Sequence, residues 1–176
     1  MRIYIIGYMG AGKTSMARRL ARKLDVDYYD TDRLFEERYR ISVSDFFSKY
    51  DEALYRKLET QILQNTLQYD NAVIATGGGT ACFNDNIQWM NEHGMTLFLK
   101  VSPLTSYHRL LNSKVKRPLA INKTPEELLE FIQKNYQDRM VYYEQAMLTV
   151  KGEDLDLDAL ADTIRNFNIP SSTPKE

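Results

Sequence analysis

Residues 7–14 read Gly7-Tyr8-Met9-Gly10-Ala11-Gly12-Lys13-Thr14 and match the pattern G-x-x-x-x-G-K-[ST] in full. Such a stretch constrains its flanks, because it needs a strand to lead in and a helix to lead out. Both are legible. Residues 2–7 form a short apolar, β-branched run, and residues 13–24 place Met16, Leu20 and Leu24 on one helical face. The glycines let the backbone turn tightly and aim N–H groups at phosphate oxygens, and the helix adds its positive N-terminal end. The spacing predicts that Gly10, Ala11, Gly12, Lys13, Thr14 and Ser15 contact nucleotide phosphates. Lys13 reaches towards the β- and γ-phosphates, and Thr14 offers a hydroxyl to Mg²⁺.

The rest of the chain alternates strands and helices. Strands are predicted at about 28–30, 72–75, 95–101 and 148–150. Helices are predicted at 43–67, 87–93, 103–111, 124–146 and 157–167. Ser102 followed by Pro103, and Thr124 followed by Pro125-Glu126-Glu127, are helix starts. Near-continuous apolar strands between helices predict a three-layer α/β/α fold with a parallel sheet. Residues 112–123 are polar and basic without periodicity and read as a loop; the tail from Ile169 reads as frayed. No repeat or linker divides the chain, so residues 1–176 are expected to form one domain.

A motif of this kind occurs in switches, motors, helicases and small-molecule kinases, and length and composition narrow that field. A motor or helicase normally needs more than 176 residues. The guanine-reading N-K-x-D and the D-x-x-G switch of a GTPase are both missing. The charged residues balance to a net −1, so bulk charge gives no reason to expect nucleic acid or a membrane as partner. One cysteine, Cys82, makes no disulfide, and His93 and His108 show no metal-ligand spacing. The apolar run at residues 3–6 is too short for a signal-peptide core or a membrane span, so a cytoplasmic location is expected.

Asp30-Thr31-Asp32 follows the second strand, where ligands collect in an open parallel sheet. Asp30 can hold Mg²⁺ through water and Asp32 a substrate hydroxyl; the plainer reading makes Asp32 a helix N-cap. Arg56 and Glu59 stand three apart on a helix. They are either a solvated surface pair or a carboxylate that steadies a guanidinium for an anionic ligand. Arg117-Pro118-Leu119, beside Lys114 and Lys116, is either a solvated charge run or a loop that closes over the phosphates. Arg109 and Arg139 are each surface arginines or ligand contacts, with Arg109 placed to stack on adenine.

As an ordered set these motifs resemble shikimate kinases. That family joins the N-terminal phosphate loop to an Asp-x-Asp, here Asp30-Thr31-Asp32, and to a Phe-Arg-x-x-Glu, here Tyr55 and Arg56-Lys57-Leu58-Glu59. It adds a triple glycine, here Gly77-Gly78-Gly79, an Arg-Pro-Leu, here Arg117-Pro118-Leu119, and a final motif matched by Arg139 and Tyr143. The resemblance covers residues 3–150. Two departures stand out: Tyr55 replaces the usual Phe, and Val141 stands where Pro is frequent, nearer the adenine side than the acceptor side.

The resemblance implies a five-stranded parallel sheet of the P-loop, nucleoside monophosphate kinase type. It implies ATP as co-substrate with Mg²⁺, and shikimate phosphorylated at its 3-hydroxyl in aromatic amino-acid biosynthesis. By carry-over, Lys13, Asp32 and Arg117 are catalytic, and Arg109 and Arg117 join the loop in holding ATP. Asp32, Arg56, Gly78, Gly79 and Arg139 bind shikimate, and Thr14 and Asp30 hold the metal. Residues 112–123 form a lid, residues 31–60 form the substrate-binding helical region, and the enzyme is a monomer. Rival readings are a gluconate or nucleoside monophosphate kinase, and a non-catalytic nucleotide sensor. A sensor has no use for Asp32, Arg56 and Arg139 together.

Overall fold

The computed structural model describes residues 1–113 and 123–167. Five strands, β1 (Arg2–Ile6), β2 (Asp27–Asp30), β3 (Ala72–Ala75), β4 (Met95–Lys100) and β5 (Leu148–Lys151), form one sheet in the order β2-β3-β1-β4-β5. Every neighbouring pair is parallel. The eight helices among the described residues are α1 (Lys13–Leu24), α2 (Thr31–Tyr39), α3 (Val43–Lys49), α4 (Glu52–Asn65), α5 (Asn86–His93), α6 (Pro103–Leu111), α7 (Pro125–Tyr143) and α8 (Leu157–Asn166).

The strand residues alternate between two cores, as the pleat requires. Ile3, Ile5, Val73, Ala75, Leu97 and Leu99 pack against α1 and α8 through Met16, Leu20, Leu160 and Ile164. Tyr4, Ile6, Ile74 and Phe98 face the other way, onto Ile87 and Met90 of α5 and Ile132 and Tyr136 of α7. That is the three-layer arrangement, and it explains why the central strands read as unbroken apolar runs. A smaller cluster of Phe35, Phe46, Tyr55 and Ile62 ties α2, α3 and α4 into a unit beside the sheet.

Several boundaries differ from the sequence reading. The helix expected over 43–67 is two helices, because Tyr50 and Asp51 are extended and the Asp51 carboxylate caps α4 by accepting from the Leu54 N–H at 2.7 Å. Apolar spacing persists across the break, which hid it. α7 ends at Tyr143 rather than near 146. α2 starts at Thr31, two residues before the start that Asp32 as N-cap implies. The segment read as a loop lies mostly outside the described residues, as does the tail from residue 168.

Candidate active site

Gly10 and Gly12 take left-handed backbone at φ 77° and 95°, which side-chain-bearing residues rarely adopt, and Gly12 stands at the N-cap of α1. The turn they make opens onto a cavity of about 550 Å³ beyond the carboxyl ends of the strands. Gly10, Gly12, Lys13, Thr14 and Ser15 line it, together with Arg109. Ala11, expected among the phosphate contacts, is buried, and its N–H donates to the Tyr8 carbonyl at 3.2 Å. Lys13 lies folded beneath the turn, donating to the carbonyl oxygens of Gly7 at 2.8 Å and Tyr8 at 2.9 Å. Arg109 donates to the Ala11 carbonyl at 2.7 Å, so α6 flanks the loop.

Asp30 stands beside Thr14. Its Oδ2 accepts from the Thr14 hydroxyl at 2.8 Å, and its Oδ1 accepts from the Asp32 N–H at 3.1 Å. The N-cap of α2 is therefore Asp30, not Asp32. Capping by Asp30 leaves the Asp32 carboxylate to line the cavity.

A second, narrower cavity of about 70 Å³ adjoins the first and shares Met9, Asp32, Gly77 and Gly78 with it. Arg56, Glu59, Gly79 and Arg139 complete its polar wall, and Val43, Phe47 and Tyr55 its apolar one. The triple glycine is where these parts converge. A Cβ on Gly77 would lie 2.8 Å from a Glu59 carboxylate oxygen and 3.1 Å from one of Asp32. On Gly78 it would lie 3.0 Å from the Met9 nitrogen in the phosphate loop, and on Gly79 2.6 Å from an Arg56 Nη. Only residues without side chains let the loop, the acids and the guanidinium come this close.

Arg56 and Glu59 are not a surface pair: they are 7% and 3% exposed. Nη1 of Arg56 donates to Glu59 at 2.8 Å, and the other Glu59 oxygen accepts from the Thr80 hydroxyl at 2.6 Å. Phe83 stacks under the guanidinium at 4.2 Å. Burial alone would lower the Arg56 pKa, but the Glu59 carboxylate, with Glu52 behind it, more than offsets that and raises it. Arg139, 7% exposed, donates to the Gly78 carbonyl at 3.2 Å and lies over the Tyr8 ring at 5.7 Å. Tyr143 donates to the same carbonyl at 2.5 Å. Burial pushes the Tyr8 hydroxyl up to about 12, partly countered by Arg139, so it stays protonated and donates to Asn135 at 3.0 Å.

The structure thus brings Gly10, Gly12, Lys13, Thr14, Ser15, Asp30, Asp32, Arg56, Gly78, Gly79, Arg109 and Arg139 around one crevice. Arg117 lies outside the described residues. Sequence reasoning missed Met9, Phe83 and Thr80. Met9 occupies an unspecified position of the loop motif, and Phe83 and Thr80 act only through contacts made across the fold.

A family model described as Shikimate kinase matches residues 9–167. The chain belongs to the shikimate kinase family. A shikimate kinase of Phocaeicola vulgatus is 39% identical over 93% of this chain and 96% of its own. Among solved structures, the shikimate kinase of Bacteroides thetaiotaomicron superposes with a TM-score of 0.86 at 37% identity, over 94% of this chain and 96% of the other. The Acinetobacter baumannii shikimate kinase, solved in complex with shikimate, gives 0.80 at 30% identity over 93% and 90%. A deoxyadenosine kinase of M. mycoides, at 20% identity and a TM-score of 0.57, shares the fold alone. Against the family pattern, Tyr55 keeps the aromatic packing: it is buried among Phe35, Phe46 and Phe47. Val141, in the position where Pro is frequent, is 62% exposed on α7.

Proposed function

We propose that this chain transfers the γ-phosphoryl group of ATP to the 3-hydroxyl of shikimate, giving 3-phosphoshikimate and ADP within aromatic amino-acid biosynthesis. The observation that carries this reading is the shared wall of the two cavities. A phosphate-binding loop and a pocket with two buried guanidinium groups meet at Asp32 and Gly78. ATP fits the larger space, with its phosphates on Gly10, Gly12, Lys13, Thr14 and Ser15 and its base towards Arg109. The shikimate carboxylate fits between Arg56 and Arg139, and its hydroxyls face Asp32 and the backbone of Gly78 and Gly79.

Phosphoryl transfer through a loose transition state asks mainly for alignment and neutralised charge. Lys13 leaves the two carbonyl oxygens beneath the turn and extends to the γ-phosphate. Asp32 orients the attacking hydroxyl and receives its proton late. Arg56, pinned by Glu59 and Phe83, fixes the ring so that this hydroxyl faces the donor. Arg117 keeps the role implied by the family motif, stabilising charge on the phosphoryl group, and residues 112–123 keep their reading as a lid.

Thr14 and Asp30 fit Mg²⁺. A hydroxyl and a carboxylate in hydrogen-bond contact beside the loop are hard oxygen donors, and this ion takes one or two protein ligands while keeping waters and phosphate oxygens. When bound, it neutralises charge between the β- and γ-phosphates. Replacing Asp30 by Asn is expected to raise the half-saturating Mg²⁺ concentration by about tenfold or more while leaving the shikimate KM within twofold. A magnesium titration of initial rates checks this, and an unmoved midpoint removes Asp30 from the metal site.

A second substitution probes the acceptor wall. Gly79→Ala puts a methyl group against Arg56 and should lower kcat/KM for shikimate by about 10- to 100-fold, with the ATP KM little changed. Equal losses for both substrates in steady-state kinetics would mean general collapse of the site rather than a displaced clamp.

The activity itself is tested by ADP release with shikimate, quinate, gluconate and nucleoside monophosphates side by side. Turnover of shikimate at least as efficient as any other is expected; preference for gluconate or a nucleotide defeats the reading. Residues 1–176 act as one kinase domain, with residues 31–60 as the acceptor-binding region. Among the described residues no helix is long and apolar enough to cross a membrane. The reading takes the enzyme to be a cytoplasmic monomer, and a net charge of −1 gives no bulk reason to expect a nucleic-acid partner.

A further inference from the structure

The guanidinium of Arg56 carries more carboxylate than its structural role requires. Besides the bond from Nη1 to Glu59, both Nε and Nη2 donate to one oxygen of Glu52, at 3.1 and 3.0 Å. Nε and Nη2 together form one of the two edges on which a guanidinium takes a carboxylate with paired hydrogen bonds. That edge is closed by the protein's own acid.

The two acids differ in how they are held. The Glu59 side chain is 3% exposed and fixed by Thr80, whereas that of Glu52 is 46% exposed at the rim. Exposed ion pairs are weak, since water solvates the released carboxylate well. Glu52 is also the first residue of α4, where the positive helix end favours its charge wherever the side chain points. Releasing Glu52 is therefore cheap, while releasing Glu59 leaves a buried charge without its partner.

We propose that Glu52 stands in for the acceptor's carboxylate, and that shikimate binds by displacing it from the Nε–Nη2 edge of Arg56. The inference rests on the acceptor reading given above. Glu52 keeps Arg56 neutralised and aligned between turnovers, and it competes with the acceptor's carboxylate for that edge. A ligand without a carboxylate does not contest the edge and is indifferent to Glu52.

The test is Glu52→Gln, which keeps shape and volume but gives up the charge, with Glu52→Ala as a second variant in case the amide still caps Arg56. Calorimetric binding and steady-state rates are measured with shikimate and with its methyl ester, whose carboxyl group is uncharged. The expected result is a shikimate Kd and KM lower by about two- to fivefold, the order of an exposed ion pair. The ATP KM stays unmoved, kcat moves by less than KM, and the ester gains nothing. A shikimate Kd that is unchanged or higher in both variants overturns the proposal and makes Glu52 a holder of Arg56. An equal gain with the ester also overturns it, because Glu52 would then be a steric obstruction. Failure of the wild-type chain to phosphorylate shikimate at all defeats the acceptor reading instead, so the two outcomes are distinguishable.

Discussion

Lys13→Ala is expected to lower kcat by about 10²- to 10³-fold or more, the range found when one preorganised charge donor is removed from a transition state. The geometry says why the loss falls on kcat. The ammonium group is buried and held by the carbonyl oxygens of Gly7 and Tyr8, and Lys13 lines the phosphate cavity. Moving to the γ-phosphate exchanges two neutral acceptors for anionic oxygens whose charge shifts during transfer. The interaction therefore strengthens as the reaction proceeds, and its loss appears in the chemical step. The nucleotide is still gripped by backbone N–H groups and the N-terminus of α1, so ATP binding should weaken far less than turnover. Lys13→Met, which keeps the stem, separates lost charge from a slack loop. Both variants should fail in the ADP-release assay while melting near the wild-type temperature. A Lys13→Ala enzyme turning over at even a tenth of the normal rate would remove the phosphate loop from the mechanism.

Local features survived the passage from sequence to structure best. The loop motif, the Pro-led helix starts at Pro103 and Pro125, and the apolar strands each depend on neighbours within a few residues, and each stands where the spacing puts it. The break at Tyr50-Asp51 was missed because its cause is a capping bond from Asp51, which competes with an apolar rhythm that runs on regardless. The sequence leaves Asp32 either a substrate contact or the cap of a helix. The helix begins between Asp30 and Asp32, so the first caps and the second faces the cavity. The arginines were the hardest. Nothing local tells the buried Arg56 and Arg139 from the exposed arginines of α1 or α8. Their surroundings include Phe83, Gly78 and Tyr8, which lie far from them in the chain. Only the ordered family motifs singled them out beforehand. Glu52 escaped notice altogether because a Glu in the first turn of a helix has a sufficient ordinary explanation in the helix dipole.

Arg139→Ala should remove most productive shikimate binding, with kcat/KM for shikimate falling by about 10²- to 10³-fold and the ATP KM within about twofold; truncating one partner of a desolvated charge pair costs about 2–5 kcal/mol. Arg139 differs from Arg56 in what the protein already gives it. Arg56 is engaged by two carboxylates, whereas the contacts assigned to Arg139 are the Gly78 carbonyl and the face of Tyr8, both neutral. A buried guanidinium next to neutral partners has most to gain from an incoming anion, so the acceptor's carboxylate should depend on it more steeply than on Arg56. The scaffold should tolerate the change, since Tyr143 keeps its own hydrogen bond to Gly78 and holds the glycine turn. Arg139→Lys should recover little, because an ammonium cannot supply the planar fork that a carboxylate accepts. Calorimetry with shikimate alone, backed by steady-state rates, separates binding from chemistry. Arg56→Ala serves as the comparison: it also lowers shikimate turnover but leaves Glu59 buried without its partner, so it should melt at a lower temperature than Arg139→Ala. A shikimate affinity in Arg139→Ala within twofold of wild type would place the carboxylate elsewhere and undo the two-arginine clamp.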